Sequence, residues 1–425
     1  MKKPVIFALA LTLALTQSIL AQESKSVRVE LQNARRTIVY QGVLVVDGEE
    51  LTLKGQTLTA SGGNDIAVLV IGGGHLTLDA CTIVKTGDGI SQRTQNDRQA
   101  RGGAQRRGGG GDDSFSFYGL NSAVVVVGEG SRIDLRGCTV KTDANQANAV
   151  FACDGGRVTI TEGITIRTQR GGSRGLFATC AGIIEADGVV DIETKGAHCA
   201  ALATDRGGGT VTVGHEGTKD HSRLVTGGEG SPCIYSTGDI TAHNAEGSAA
   251  VSQTMVVEGR NSIHITDCNF TGHSPQHGGI MLYQSTSGDA REGTSTLTMK
   301  DCTIRDNSGT TMLLVTNTHS IVDISGCTFL AKDGRPLTAD DALVVCRNCN
   351  ADGRGHHWGR EGSNGGQVDI TLTHQSLTGY VQAVETESAI TITRGKKSNT
   401  KKLQTREGKG QVTFQTGSRT NNYKQ

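Results

Sequence analysis

Two neighbouring stretches of sequence follow one template and decide the fold class: AVFACDGGRVTITEGITIRT at residues 149–168 and GLFATCAGIIEADGVVDIET at residues 175–194. Each begins with a short apolar run, passes through a turn and continues into a strand of alternating apolar and polar residues. A third short strand closes each copy. The alternation has the period of two that is typical of β-strands, and neither copy shows the 3.6-residue period of an amphipathic helix.

The same template recurs through most of the chain. Where nothing intervenes, copies start about 25 residues apart, a length that accommodates three short strands and three turns. Copies start near residues 42, 67, 123, 149, 175 and 200. Later apolar runs occupy 233–236, 255–258, 279–284, 312–316, 342–346 and 381–385. The sequence therefore predicts an all-β fold, a right-handed parallel β-helix (solenoid) of about 12 coils; the hand follows from the crossover rule.

Composition agrees with an elongated β protein. Glycine supplies 59 of the 425 residues, proline only 4, and aromatic residues make up 4%. So few large side chains disfavour a wide globular core, and the scarcity of proline excludes a collagen or a proline-rich linker. Lys+Arg and Asp+Glu both total 42, giving a net charge of zero. This balance predicts no nucleic-acid partner and no electrostatic attachment to a membrane.

Several stretches resemble a known class of protein. They are SFYGLNSAVVV (116–126), TDRGGGTVTV (204–213), EGSPCIYSTGDIT (229–241), GIMLYQSTSGDAREGTSTLTM (279–299) and WGREGSNGG (358–366). On these stretches the chain resembles secreted bacterial right-handed parallel β-helix proteins of the pectate-lyase-like fold, and within them the uncharacterised Gly/Thr-rich adhesin-like group. The resemblance implies this architecture and export, and it carries no established reaction.

The sequence predicts three segments. Residues 1–21 have the basic start, apolar run and small-residue cleavage site of a secretory signal peptide, so we expect a secreted, periplasmic or cell-surface protein with no transmembrane segment after signal removal. Residues 26–393 are expected to form the β-helix, with a disordered Arg/Gly-rich insertion at about 88–114. Residues 394–425 are expected to form a basic tail that frays beyond a last strand at 412–414.

The end of the insertion carries a cluster of aromatic residues, Phe115 to Tyr118. The run Ala123 to Val127 that follows is apolar at every position, so a strand formed there would expose half of its side chains on the outer face. Such a face needs a cover. We expect the aromatic cluster to provide it.

Five of the 11 cysteines recur at one position of the repeat: Cys81, Cys138, Cys268, Cys302 and Cys327. In intervening copies Ile164 and Val190 occupy that position. A position that alternates among Cys, Ile and Val is an inward apolar one, where free cysteine behaves as a small hydrophobe. We therefore expect a ladder of buried cysteines, and disulfides between neighbours remain an alternative.

Cys346 and Cys349 form a separate CxxC motif, followed by His356 and His357. A loop disulfide, no special role and a metal site are all compatible with it. A second zinc knuckle is absent from the sequence, and we expect no metal and no cofactor.

Candidate ligand-binding residues lie at the corner after the first strand in the C-terminal half. They are Tyr283, Gln284, Asn317, Arg347, His357, Trp358 and Arg360. Stacked coils would align several of them into one stripe of donors with an aromatic face, which suits a polysaccharide. The alternative is that these are ordinary rim residues, with Trp358 anchoring a loop.

The sequence favours a non-catalytic secreted or surface protein that binds glycans or extracellular matrix in the manner of an adhesin, and we expect no catalytic residue. The alternative is a polysaccharide lyase or glycoside hydrolase of the pectate-lyase-like superfamily. Hydrolysis needs clustered carboxylates, and the first strands contain almost none, with Glu258 and Glu385 as exceptions. Clustered carboxylates on one face of the folded chain would favour the enzyme.

Overall fold

The computed structural model describes residues 23–91, 114–285, 290–348 and 365–417. These residues form an almost entirely β structure of 35 strands in three ladders. The first ladder, sheet 1, has 14 strands. In their order across the sheet they are β1 (Lys25–Leu31), β2 (Arg36–Asp47), β5 (Asp65–Ile71), β8 (Val124–Val127), β10 (Val150–Cys153), β12 (Leu176–Thr179), β15 (Leu202–Thr204), β18 (Ile234–Ser236), β21 (Met255–Glu258), β24 (Ile280–Tyr283), β27 (Leu313–Thr316), β30 (Ala342–Cys346), β32 (Ser376–Ala383) and β34 (Asn399–Thr405).

The second ladder follows sheet 1 in each repeat. Its strands are β3 (Glu50–Lys54), β6 (His75–Asp79), β9 (Arg132–Asp143), β11 (Arg157–Thr168), β13 (Gly182–Ala186), β16 (Gly209–Val213), β19 (Asp239–His243), β22 (Ser262–Thr266), β25 (Ser295–Lys300), β28 (His319–Ser325), β31 (Gln367–Thr373), β33 (Ala389–Arg394) and β35 (Gln411–Thr416).

The third ladder includes the second halves of β9 and β11, which run through both ladders. Its other strands are β4 (Thr57–Ala60), β7 (Thr82–Thr86), β14 (Val190–Thr194), β17 (Ser222–Thr226), β20 (Ala245–Ala249), β23 (Asn269–Gly272), β26 (Thr303–Asp306) and β29 (Thr328–Leu330). One short α-helix, α1 (Ser114–Tyr118), and one 3-10 turn (Lys332–Gly334) complete the described elements.

Almost every pairing is parallel and joins a strand to its counterpart in the next repeat. Among the described strands of sheet 1, only β1 pairs antiparallel, as a hairpin with β2. Side chains from all three ladders share one core, as Val124, Ile133 and Val140 of a single repeat show. The long parallel sheets and the shared core fit the β-helix that the sequence predicts.

A left-handed residue marks the corner between the second and third ladders. Ala80, Asp267 and Asp301 have φ values of 51°, 55° and 53°, and glycine takes the same place at Gly137 and Gly326. This conformation is open to glycine and tolerated by aspartate, which explains those residue types immediately before the cysteine position.

The cysteines of the repeat lie inside this core. Cys81, Cys138, Cys268, Cys302 and Cys327 are all buried, none more than 7% exposed. The register places Cys138 opposite Ile164, and Ile164 opposite Val190, as the repeat alignment implies. Cys268, Cys302 and Cys327 directly precede three successive strands of the third ladder, β23, β26 and β29. The cysteines of the described residues are free thiols.

A second apolar layer covers the outer face of sheet 1 in the N-terminal half. Phe115, Phe117 and Tyr118 of α1 are buried against Val125 and Phe151 of the sheet. The aromatic cluster therefore covers the face that the sequence predicts to need one. The β1–β2 hairpin adds to this layer.

The boundaries of the paired region differ from those expected. Strands β34 and β35 continue the parallel ladders beyond residue 393, because β34 pairs with β32 and β35 with β33. At the insertion, Asp88 accepts a hydrogen bond from Asn145, and Ser114 begins α1. The predicted signal peptide and the expected disorder of residues 93–111 lie outside the described residues. Among the described residues, no helix is both long and apolar enough to cross a membrane.

Candidate functional site

A groove lined mainly by threonine side chains runs along the outer face of the second ladder in the C-terminal half. Because side chains alternate between the two faces of a strand, the apolar residues of β25, β28, β31 and β33 point into the core and the intervening residues point out. Leu297, Ile324, Ile370 and Ile392 are buried accordingly. The outward positions carry mainly threonine, with serine, aspartate and lysine.

One outward column sets the line of the groove. The register aligns, from strand to strand, Thr298, Asp323, Thr371, Thr393 and Gln415. At about 4.8 Å per step, the five positions extend over about 19 Å. The groove therefore offers hydroxyl, amide and carboxylate groups at regular spacing.

Two adjoining hollows form the groove and share Thr371. The larger has a volume of about 440 Å³, and its walls include Thr298, Lys300, Asp323 and Thr373. The smaller, of about 310 Å³, continues past Asp369 and Thr391 to Gln415. Within the groove Gln415 Nε2 donates a hydrogen bond to Thr393 Oγ1 at 2.9 Å.

Two carboxylates lie on neighbouring strands of this groove. Asp369 stands opposite Ile321, two residues before Asp323 on the adjacent strand. Strand spacing and rise per residue place the two aspartate Cα atoms about 8 Å apart. Asp369 Oδ2 lies 3.1 Å from His319 Nε2, which flanks the groove.

Lys300 at the rim is already paired. Its Nζ lies 2.9 Å from Glu216 Oε1, and this hydrogen bond raises the pKa of Lys300 and lowers that of Glu216. Both side chains are exposed, so the pair contributes little to stability. In the part of the chain that the structure describes, no three His, Cys, Asp or Glu side chains are grouped so as to hold a metal ion.

The corner residues expected to bind ligand are found partly together and mostly enclosed. Tyr283 is 2% exposed and Gln284 8% exposed. Asn317 Nδ2 donates a hydrogen bond to the Gln284 carbonyl oxygen at 2.8 Å, which joins successive repeats. In this conformation the ring of Tyr283 offers no open face on which a sugar could stack.

A buried carboxylate explains why Tyr283 is enclosed. The Tyr283 hydroxyl donates a 2.7 Å hydrogen bond to Glu258 Oε2, and Tyr235 donates to the same oxygen. Ser285 donates to the other oxygen of Glu258, which is only 2% exposed. Burial raises the pKa of both tyrosines well above the usual value. The cluster is a closed network in which the carboxylate accepts hydroxyl hydrogen bonds.

Arg347 follows the same corner one repeat after Asn317, and its guanidinium donates to the Gln276 carbonyl oxygen at 3.2 Å. His357, Trp358 and Arg360 lie outside the described residues, as does Cys349. The alternatives for the CxxC motif therefore stay open; its first member, Cys346, is a buried thiol.

The groove residues were missed at the level of sequence although a signal was present. Thr298, Asp323, Thr371 and Thr393 are the polar residues of strands in which apolar and polar residues alternate. In any single strand, such residues look like ordinary solvent-facing positions. Aligning the outward positions across consecutive repeats would have revealed the column.

The folded chain is an all-β protein of long parallel sheets, a class that includes β-helices, with a threonine-lined groove on one outer face. No protein-family model matches the chain, and neither a curated protein nor a solved structure is significantly similar to it.

Proposed function

We propose that the protein is a secreted or surface-exposed right-handed parallel β-helix of about 12 coils that binds an extended polysaccharide, free or in an extracellular matrix, without modifying it. The parallel pairing of successive repeats and the shared core support the solenoid. Resemblance to the adhesin-like group and the predicted signal peptide support export. No nucleic acid is expected as a partner.

The groove along Thr298, Asp323, Thr371, Thr393 and Gln415 carries this proposal. Threonine hydroxyls both donate and accept hydrogen bonds, as sugar hydroxyls do, and the carboxylates accept them. Threonine methyl groups offer apolar contact to the C–H faces of a sugar ring. A regular column of such groups suits a ligand that is itself a repeating chain.

Isosteric substitutions within the groove test the proposal. Thr371→Val together with Thr393→Val removes two hydroxyls and keeps side-chain shape. We expect this double variant to lose about tenfold or more in affinity for the polysaccharide that a glycan array identifies, since two unsatisfied ligand contacts cost about 1–3 kcal/mol. Thr159→Val with Thr212→Val, in the same outward column on β11 and β16, is the matched control. Equal binding by both double variants and the wild type would remove the groove from consideration.

A hydrolase is the second candidate, and the Asp323–Asp369 pair favours it. Inverting glycosidases use two carboxyl groups roughly 6.5–9.5 Å apart, one as the acid and one as the base that activates water. The backbone separation of these two aspartates is compatible with that range. Release of reducing sugar from the bound polysaccharide, abolished by Asp323→Asn, would establish the hydrolase; binding without release in the wild type supports the adhesin-like function.

The corner after sheet 1 is a separate proposed contact surface. Arg347 and Asn317 are partly exposed there. The sequence predicts Trp358, which lies outside the described residues, as the aromatic contribution to this surface. Trp358→Ala combined with Arg347→Ala should weaken glycan binding if this surface contributes. Unchanged affinity in that variant, with Thr371→Val/Thr393→Val impaired, assigns binding to the groove alone.

A further inference from the structure

Two buried thiols meet in the outer layer of sheet 1, away from the cysteine ladder of the inner core. Cys153 is the last residue of β10 and is fully buried, and Cys180, 3% exposed, directly follows β12. The two thiols influence each other, because the pKa of Cys153 is raised and that of Cys180 is lowered chiefly by the neighbouring thiol. Both belong to the apolar layer that includes helix α1, and the Phe117 carbonyl oxygen lies 3.8 Å from Cys153 Sγ.

The register brings these cysteines within reach of a covalent bond. Cys153 pairs with Thr179, so Cys180 lies one residue further along the neighbouring strand. A spacing of about 4.8 Å between strands and a rise of about 3.3 Å per residue place the two Cα atoms about 6 Å apart. Disulfides span Cα separations of roughly 4.4–6.8 Å. Cys180 is also left-handed, with φ 48°, at the point where the chain leaves the strand.

The cysteine ladder has a different geometry. Cys268, Cys302 and Cys327 each precede the first paired residue of adjacent parallel strands, Asn269, Thr303 and Thr328, so the register sets them directly opposite one another. Their Cβ atoms are therefore separated by about the strand spacing of 4.8 Å. That separation exceeds the roughly 3.5–4.5 Å that a disulfide requires. The Cys302 thiol interacts with the thiols of Cys268 and Cys327, so the ladder differs from the Cys153–Cys180 pair in its direct rather than diagonal register, which sets the Cβ atoms slightly beyond the disulfide range.

We propose that Cys153 and Cys180 form a disulfide that links β10 to β12 when the protein folds in an oxidising compartment. This inference rests on the proposed export. The oxidant is a disulfide-bearing exchange partner, either a small molecule or a thiol–disulfide oxidase. The bond would fasten two successive repeats beneath α1.

The exchange proceeds in two balanced steps. The Cys180 thiolate attacks one partner sulfur, which forms a mixed disulfide and releases one partner thiolate. The Cys153 thiolate then attacks the Cys180 sulfur and releases the second partner thiolate. The two protons lost by the protein thiols end on the partner, whose disulfide is reduced to two thiols. The neighbouring Cys153 thiol lowers the pKa of Cys180, which agrees with Cys180 attacking first.

Peptide mapping tests the bond directly. Mature protein is refolded in a mixture of reduced and oxidised glutathione, unfolded in guanidinium chloride with iodoacetamide and no reductant, and digested for mass spectrometry. We expect a linked peptide pair joining Cys153 to Cys180, lighter by two hydrogen atoms than the two thiol peptides together, and alkylated ladder cysteines. Cys180→Ser should leave Cys153 alkylated, whereas the ladder control Cys138→Ser should retain the link.

Full alkylation of Cys153 and Cys180 in the refolded wild type, or links from either to other cysteines, would overturn the inference. The mapping needs no variant that might fail to fold. It also separates this inference from the proposed export: a link that forms in glutathione and is missing from protein collected outside the cells supports the pairing and contradicts the oxidising compartment.

Discussion

Cys302 shows how the repeat selects a residue for one inward position. Its thiol donates a weak hydrogen bond to the Lys300 carbonyl oxygen at 3.1 Å, and Cys81, Cys138, Cys268 and Cys327 make the same contact to the residue two positions earlier. The left-handed corner leaves that carbonyl near the core. Cysteine is small and apolar enough to fill the position and still supplies a donor.

Cys302→Ser should lower the free energy of unfolding by about 1–2 kcal/mol. The serine hydroxyl can donate to the same carbonyl oxygen, but its own oxygen is then buried among apolar neighbours without a donor. Cys302→Val, a residue type that the repeat already uses at this position, should cost less than about 1.5 kcal/mol. Urea denaturation of both variants measures the difference. A valine variant less stable than the serine variant would contradict an apolar position.

Asp134 is a largely enclosed carboxylate on the outer face of the second ladder. Burial raises its pKa, but hydrogen bonds from Arg132 and His75 outweigh that effect and hold the pKa below the usual value. Arg132 donates to both carboxylate oxygens, at 2.9 and 2.8 Å. The stabilisation is therefore complete above the unfolded-state pKa of about 4 and is lost as the pH falls through the lower folded-state pKa.

Asp134→Asn should reduce the free energy of unfolding by about 1–2 kcal/mol at pH 7, and the difference from wild type should shrink below about pH 4. Asp79→Asn is the control, because Asp79 pairs with the exposed Lys54 and should change stability by less than about 1 kcal/mol. Denaturation curves of the two variants and the wild type, recorded from pH 3 to 7, measure these differences in the free energy of unfolding. A constant gap between Asp134→Asn and wild type across that range would contradict this origin of the pKa shift.

Sequence reasoning identifies inward residues better than outer contacts. The cysteine position could be predicted because repeats align and the core side alternates with a fixed period. The enclosure of Tyr283 could not, because it depends on Glu258 and Tyr235, which reach it from neighbouring strands across the outer face. Such contacts follow from side-chain length and rotamer, which the alternating pattern does not encode.

Among the elements of the fold, helix α1 covers the outer face of sheet 1, whose side chains are apolar on both faces in this region. Phe117 is 5% exposed, and the guanidinium carbon of Arg206 lies 4.0 Å from the centre of its ring. The carbonyl oxygen of Phe117 accepts a 2.7 Å hydrogen bond from Thr179 Oγ1. A strand that is apolar at every position, such as Val124–Val127, predicts that its outer face is covered by other side chains. The aromatic cluster lies just before this strand in the sequence and was the nearest candidate.

Phe117→Ala should destabilise the protein by about 2–4 kcal/mol, because it opens a cavity in the layer between α1 and sheet 1. Phe414→Ala is the matched control: Phe414 lies on β35 with 39% of its surface exposed and should change stability by about 0.5 kcal/mol or less. Thermal or chemical unfolding of the two variants provides the comparison. Similar losses in both would show that α1 does not act as a cover.

Deleting residues 93–111 should leave the unfolding transition nearly unchanged, since the composition of this segment predicts disorder and the length of a disordered connection alters loop entropy only slightly. The deletion retains α1 and the contact between Asp88 and Asn145. Calorimetry on the purified deletion variant measures its unfolding temperature for comparison with the wild type. A loss as large as that of Phe117→Ala would mean that the Arg/Gly-rich segment packs against the fold.

At the scale of the whole molecule, the repeat predicts the ladders but not their extent. Parallel pairing continues through β34 and β35. The sequence predicts the strand at 412–414, but basic residues such as Lys401 and Lys402 obscure the alternation in β34. The groove likewise arises from the stacking of successive repeats. Within one strand its residues are ordinary outward-facing side chains. They form a continuous surface only because the strands stack in register.

The dependence of affinity on ligand length tests whether the groove binds an extended polysaccharide. A groove that binds a chain across five strands should bind oligosaccharides of its preferred polysaccharide more tightly as they lengthen, until they span about 19 Å, after which affinity per site should level off. Calorimetric titration of a size series against the wild type, the Thr371→Val/Thr393→Val variant and the Thr159→Val/Thr212→Val control measures this. We expect a rise and plateau in the wild type and the control, with a lower plateau in the groove variant. Affinity independent of length, or identical curves for all three proteins, would contradict this proposal.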